Sequence, residues 1–135
     1  MKEKFQLKND ITELQTLSQK IEEISEIFNL SPDVIFKINL SLEELVTNTI
    51  SYGYRDKEEH LLDIEMRLEN SEVTITLIDD AMEFNPLEKD DPDLTKSIEE
   101  REIGGLGIHF VKNLMDDFRY DRKNGMNHIV LVKKI

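Results

Sequence analysis

The sequence predicts an α+β fold: a two-layer sandwich with three helices on one face of a mixed, mostly antiparallel sheet. Segments with helical apolar spacing are interleaved with segments that alternate apolar and polar residues, in the order strand, helix, helix, strand, strand, long loop, helix, strand, strand. The strands alternate and are not continuously apolar, so one sheet face is wet, which argues against a doubly wound parallel sheet covered on both sides. At 135 residues, 39% hydrophobic and 34% charged, the chain makes one domain whose core needs neither disulfide nor cofactor.

Lys4–Lys8 is short and alternating, with Phe5 and Leu7 pointing one way, and reads as an edge strand. Asp10 and Glu13 form a capping-box pattern ahead of Ile11, Leu14, Leu17, Ile21, Ile24 and Phe28, which recur at helical spacing. Asn29-Leu30 ends that helix, and Ser31-Pro32 opens the next with a cap and a proline at the first helical position. The second helix runs to about Tyr52, where Gly53 stops it. Leu62, Ile64, Met66 and Leu68 then alternate with charged residues, Asn70-Ser71 turns the chain, and Val73, Ile75 and Leu77 continue the inward set as far as Asp79.

Residues 80–103 break the pattern. They hold two prolines and nine acidic residues with no sustained period, and a loop of that length is expected to be a lid or binding segment. Gly104-Gly105-Leu106-Gly107 closes it, and Ile108, Val111, Leu114 and Met115 return to helical spacing. Asp117–Lys123 and Met126–Lys133 are strands joined at Asn124-Gly125, a strong hairpin signal. No internal repeat or second domain is visible.

Charge narrows the partners. A formal net charge of -12 disfavours direct binding to nucleic acid or an anionic membrane surface, and suits a basic partner or phosphates accompanied by a divalent cation. Cysteine is absent, so disulfides, thiolate catalysis and thiolate-bound metals are excluded, and the composition fits a reducing cytoplasm. No apolar run reaches the ~20 residues of a membrane span, and the first ten residues lack a signal-peptide core.

Three places carry candidate chemistry. Glu44 and Asn48 sit four apart on the second helix, so they project together, away from the apolar stripe of Ile35, Ile38, Leu42, Leu45, Val46 and Thr49. Such a pair can serve as proton acceptor and metal ligand, or be two solvated surface residues. Asp79, at the end of a buried strand, can accept a hydrogen bond from an exocyclic amine such as that of adenine, or simply shape a turn. Three glycines in four positions before a helix permit close approach of an oxyanion to free N–H groups, or act as a hinge. A Walker-type loop is excluded because no Gly-Lys-Ser/Thr follows. His60, His109 and His128 are scattered and receive no role.

Taken in order, these residues resemble the histidine kinase-like ATP-binding superfamily, and within it the small bacterial anti-sigma-factor serine/threonine kinases. Glu44-x-x-x-Asn48, inside EELVTNTISYGY, is similar to the family's N box. LIDDAMEFNP matches the adenine-binding box with its aspartate at Asp79, and GGLGIHFVKNLMD matches the second glycine box. The resemblance covers nearly the whole chain. It implies a Bergerat-type fold and ATP with Mg²⁺, with Glu44 as general base and Asn48 as metal ligand. Asp79 and Ala81 would lie at the base, and Gly104, Gly105, Leu106 and Gly107 at the phosphates. Lys89, Lys96 and Arg101 in the lid are candidates to meet phosphate, with a solvated role the favoured alternative for each. It further implies an antagonist-like protein and a sigma factor as partners, often a homodimer, and partner switching that regulates transcription. Ala81 and Glu83 depart from the glycine and the glycine or proline usual there, and Tyr52 stands where these kinases often carry histidine. If position 81 requires positive φ, alanine costs on the order of 1 kcal/mol and nucleotide affinity falls. That departure leaves a second reading open, a nucleotide-gated binding module with little or no kinase activity. A third, an ATP-binding fragment of a histidine kinase, is weaker because the first helix has no phosphoacceptor histidine and the chain reads as complete at both ends.

Overall fold

The computed structural model describes residues 1–88 and 105–135. They fold as β1 (Lys2–Lys8), α1 (Leu14–Phe28), α2 (Pro32–Tyr52), β2 (Leu61–Glu69), β3 (Glu72–Asp79), α3 (Gly105–Leu114), β4 (Asp117–Lys123) and β5 (Met126–Lys134). Short 3₁₀ turns span Ile11–Glu13 and Pro86–Glu88. The strands form one sheet in the order β1-β2-β3-β5-β4. All four pairings are antiparallel, the extreme of the mostly antiparallel sheet expected.

Alternation builds the layers. Leu7, then Leu62, Ile64 and Met66, then Val73, Ile75 and Leu77, then Ile129 and Leu131, are buried on one sheet face. Leu17, Ile21, Ile24 and Phe28 of α1, Ile38, Leu42, Leu45 and Val46 of α2, and Val111 and Met115 after them complete the same core. Each buried Leu, Ile or Phe contributes roughly 1.5–3 kcal/mol relative to exposure, so this layer dominates stability. The outer strands carry charges on their wet positions, paired as Lys4–Glu65 at β1 and as Arg119–Asp117 and Lys123–Asp121 on β4. Charged edges oppose pairing with another chain.

The turns follow local chemistry. Asn70 and Ser71 adopt φ of 53° and 60°, and Asn124 and Gly125 adopt 53° and 74°, the left-handed pairs that tight hairpins need. Asn29 takes the left-handed cap between α1 and α2, and Ser31 accepts from the Val34 N–H at 3.3 Å. The capping box expected at Asp10 forms differently. Asp10 accepts from the Thr12 N–H at 3.0 Å, while Glu13 reaches back past it to the Lys8 N–H at 3.1 Å. The intervening 3₁₀ turn delays α1 to Leu14 and leaves Ile11 half-exposed. Gly53 ends α2 without a left-handed cap, at φ −83°. Glycine is needed there for space, because a Cβ would stand 2.5 Å from the Thr49 carbonyl oxygen and 2.8 Å from the Ala81 Cβ.

Beyond Gly53, a latch of side chains ties the chain to the end of β3. His60 Nδ1 lies 3.0 Å from Asp80 Oδ2 and its Nε2 lies 2.8 Å from Asp56 Oδ1. The ring stacks on Tyr54, whose hydroxyl donates to Asp80 at 3.1 Å. Hydrogen bonds to Asp80 and then Asp56 hold the His60 pKa above its ordinary 6.5.

Two consequences are measurable. A folded-state pKa above the unfolded one gives stability that is present below about pH 6.5 and lost as the pH rises through the raised value. Urea midpoints of the wild type should therefore fall relative to His60→Gln between about pH 6 and pH 9, and parallel curves would refute the latch. Ser41 on α2 is fully buried, and its hydroxyl finds no hydrogen-bond partner among the described residues. Ser41→Ala removes that unsatisfied group and favours helix, so it should stabilise by about 1 kcal/mol, a melting temperature higher by a few degrees.

Candidate functional site

α2 presents two faces. Its apolar stripe enters the core, and one turn apart on its flank Glu44 and Asn48 lie half-buried, not solvated. Beside that flank is a cavity of about 340 Å³. Leu45, Asn48, Thr49 and Tyr52 of α2 line one side, Asp79 and Ala81 the end of β3, Met82, Phe84 and Pro86 the following segment, and Ile108, Asn127 and Ile129 the remainder. Apolar walls with a few convergent polar groups suit a planar heterocycle.

Asp79 is the inward-facing residue at which the buried set of β3 ends, and it is 2% exposed. Burial pushes its carboxyl above the ordinary 3.8. The Asn127 amide at 2.9 Å and the Ala81 N–H at 3.1 Å oppose that shift, as does the Arg122 charge, while Asp80 adds to it. Removing a carboxylate from water costs several kcal/mol, and here that cost outweighs what the hydrogen bonds return. Both hydrogen bonds fall on Oδ1. Among the described residues none reaches Oδ2, which remains for a ligand donor.

Position 81 resolves differently from the conditional expectation. Ala81 is not among the residues with positive φ, so alanine carries no left-handed strain there. Its methyl is buried against Gly53, and the Met82 N–H donates to the Gly53 carbonyl at 3.0 Å, which docks this segment on the end of α2.

At the far end of the flank, Asn48 Nδ2 approaches Glu44 Oε1 at 3.5 Å. The Glu44 carboxylate in turn occupies the space beside Gly107, where a Cβ would overlap it. Gly105 and Gly107 thus lie within the first turn of α3, not ahead of it, and with Glu44 in this position a side chain at 107 would displace the carboxylate. Asn48, Asp79 and Ala81 share the cavity, while Glu44 and Gly107 meet next to it. Gly105 and Leu106 open α3, whereas Gly104, Lys89, Lys96, Arg101 and most of the expected lid lie outside the described residues. Of its described part, residues 80–88, Ala81, Met82, Glu83, Phe84 and Pro86 line the cavity.

Two residues escaped the sequence reading. Asn127 is 4% exposed and stands directly across the ladder from Asp79. Arg122 Nη1 donates to the Ala81 carbonyl at 2.9 Å and to Asn127 Oδ1 at 3.0 Å. The available signal was an amide at an inward strand position, in phase with Ile129 and Leu131. Of the three histidines, His60 belongs to the latch, His109 contacts Asn113 on α3, and His128 faces outward opposite Asp121.

The family described as the histidine kinase-like ATPase domain matches residues 7–133. An anti-sigma F factor of Clostridium beijerinckii is 30% identical over 76% of this chain and 71% of its own length. That of Bacillus subtilis is 29% identical over 95% and 93% respectively. The serine/threonine-protein kinase BtrW of Bordetella bronchiseptica is 24% identical over 71% and 68%. The crystal structure of the RsbU and RsbW domains of Rv1364c from Mycobacterium tuberculosis superposes with a TM-score of 0.72 at 14% identity. It covers 99% of this chain, which spans 32% of that longer one. No helix of the described residues is long and apolar enough to cross a membrane. A match extending over nearly the entire sequence, on a fold with this sheet order and cavity, places the chain in the histidine kinase-like ATPase domain family.

Proposed function

We propose that this chain is an ATP-dependent protein serine kinase of the anti-sigma type, which regulates transcription by switching partners. The single observation that carries the proposal is Asn48, whose side chain lines the cavity while its amide reaches Glu44. It joins a base-sized hollow to a carboxylate at a helix start, the two ends that a phosphoryl-transfer site must connect. The sequence similarity to anti-sigma F factors and to a serine/threonine-protein kinase supports the same reading.

In this reading adenine enters the cavity and its exocyclic amine donates to Asp79 Oδ2. The triphosphate runs along α2 toward the first turn of α3, whose N–H groups and dipole favour anions. The donor set fits Mg²⁺: with its nitrogen turned to Glu44, Asn48 has its carbonyl oxygen left for a hard cation that prefers oxygen. When bound, Mg²⁺ would neutralise phosphate charge. Glu44 orients the substrate serine and takes its hydroxyl proton as the serine oxygen bonds to the γ-phosphorus. The bond to the β,γ-bridging oxygen breaks and ADP departs. An antagonist-like protein supplies the serine and a sigma factor is the alternative partner. A homodimer fits the same family pattern, and the net charge of -12 suits basic partner surfaces. The absence of strain at Ala81 removes the backbone ground for a weakened nucleotide site.

Asp79→Asn keeps an acceptor for Asn127 and Ala81 but loses the charged one for adenine. ATP affinity measured by calorimetry should fall roughly 10–100-fold, while thermal stability holds or rises because a costly buried charge is gone. Parallel loss of stability would instead make Asp79 a structural residue. Glu44→Gln should leave ATP affinity within a few-fold and slow phosphoserine formation in the antagonist by about 10²–10⁴. Full transfer by that variant, or none by the wild type with labelled ATP and Mg²⁺, refutes the assigned chemistry.

A further inference from the structure

We propose that Asn127, backed by Arg122, is a positioning residue that fixes Asp79 so that only one carboxylate oxygen faces the base, and so sets the preference for a 6-amino purine. The inference rests on the adenine-nucleotide reading above and adds to it two residues of the β4–β5 hairpin. Asn127 Nδ2 is surrounded by acceptors: Asp79 Oδ1 at 2.9 Å, the Met82 carbonyl at 2.9 Å and the Ala81 carbonyl at 3.4 Å. Its Oδ1 is surrounded by donors, the Tyr120 hydroxyl at 2.6 Å and Arg122 Nη1 at 3.0 Å. Reversing the amide would set its oxygen against three acceptors, so the orientation is determined by its neighbours.

Both amide hydrogens are therefore spent inside the protein. Asn127 lines the cavity with no donor left for a ligand, and it acts through what it holds. Together with the Ala81 N–H it saturates Asp79 Oδ1, which leaves Oδ2 without a partner among the described residues on a side chain that lines the cavity. Arg122 fixes the Asn127 oxygen and, through the Ala81 carbonyl, the segment that walls the base. The Cα pairing of Asp79 with Asn127 across β3 and β5 makes the arrangement a property of the sheet register and not of a loop.

The charge environment gives a second readout. Asn127 and Ala81 on one oxygen, and the Arg122 guanidinium from β4, stabilise the ionised Asp79. Burial and the neighbouring Asp80 oppose them, with Tyr54 and His60 engaged by Asp80. Loss of Asn127 or Arg122 moves the balance toward the protonated acid, which cannot accept the amine proton in the same way.

The test measures ADP and inosine diphosphate, whose base has an oxo group in place of the amine, by calorimetry across about pH 5–8.5, on the whole chain, with folding checked by circular dichroism. The wild type should favour ADP by roughly tenfold or more. Asn127→Ala and Arg122→Met should bring that ratio to within about threefold of unity, and raise the pH below which ADP affinity is lost. A variant that is merely less stable loses both ligands together and keeps the ratio. Any folded variant of either kind that retains the wild-type ratio and pH midpoint overturns the proposal, as does a wild type that binds both nucleotides equally. A wild type that binds neither overturns the adenine-nucleotide reading itself. Should Asn127→Ala fail to fold, Arg122→Met, on a half-buried side chain, decides the question alone.

Discussion

A carboxylate placed where a hydrophobic core ends must be held by donors, and that requirement shapes one whole end of this molecule. Asp79 continues the inward set of β3, so strand alternation alone drives it toward the helices. The neighbouring strand supplies an amide across the ladder, and the next supplies a guanidinium behind that amide. The backbone after β3 folds over to donate its own N–H and to seat Ala81 on Gly53. The compensation is partial, and a carboxylate left short of donors is poised to accept one from a guest. In the proposed reading, stability is given up at the position where the base is recognised.

The other end of the site follows from steric exclusion. Glu44 lies against the first turn of α3 in space that a side chain at 107 would fill, so the placement of this carboxylate depends on that glycine. Asn48, a turn along α2, is the hinge between that constraint and the cavity. A single 21-residue helix thus sends one stripe into the core and sets the length of the site on its flank.

Much of this was legible in the residues. Periodicity gave every helix and strand described, because each element has one buried face and the 3.6 and 2.0 repeats survive in the side chains. The hairpins were legible because Asn70-Ser71 and Asn124-Gly125 are residue pairs that tolerate left-handed backbone. Boundaries were less so: β1 begins at Lys2, two residues before the alternation becomes visible, since its pairing to β2 continues beyond its apolar residues. The Asp10 and Glu13 pattern read as a capping box because spacing does not reveal a 3₁₀ turn, which shifts the partner of Asp10 by one residue and that of Glu13 by two. Gly107 was readable as a close-approach glycine, but what approaches it was not, because Glu44 is 63 positions earlier. The tie of Asn127 to Asp79 stayed hidden for the same reason, since the β3–β5 pairing spans 48 positions, whereas its pairing with Arg122 follows from the legible hairpin.

That pairing gives the β4–β5 turn an unexpected status. Gly125 has open space around it, and nothing in the cavity touches it, so by contact alone it is a bystander. Yet Asn127 sits two residues beyond it, and a slip of one would turn Asn127 outward and bring a neighbour in from the wet face. The turn therefore works as a ruler. Its side chains are free to drift, but its length is tied to the chemistry of a pocket it never meets.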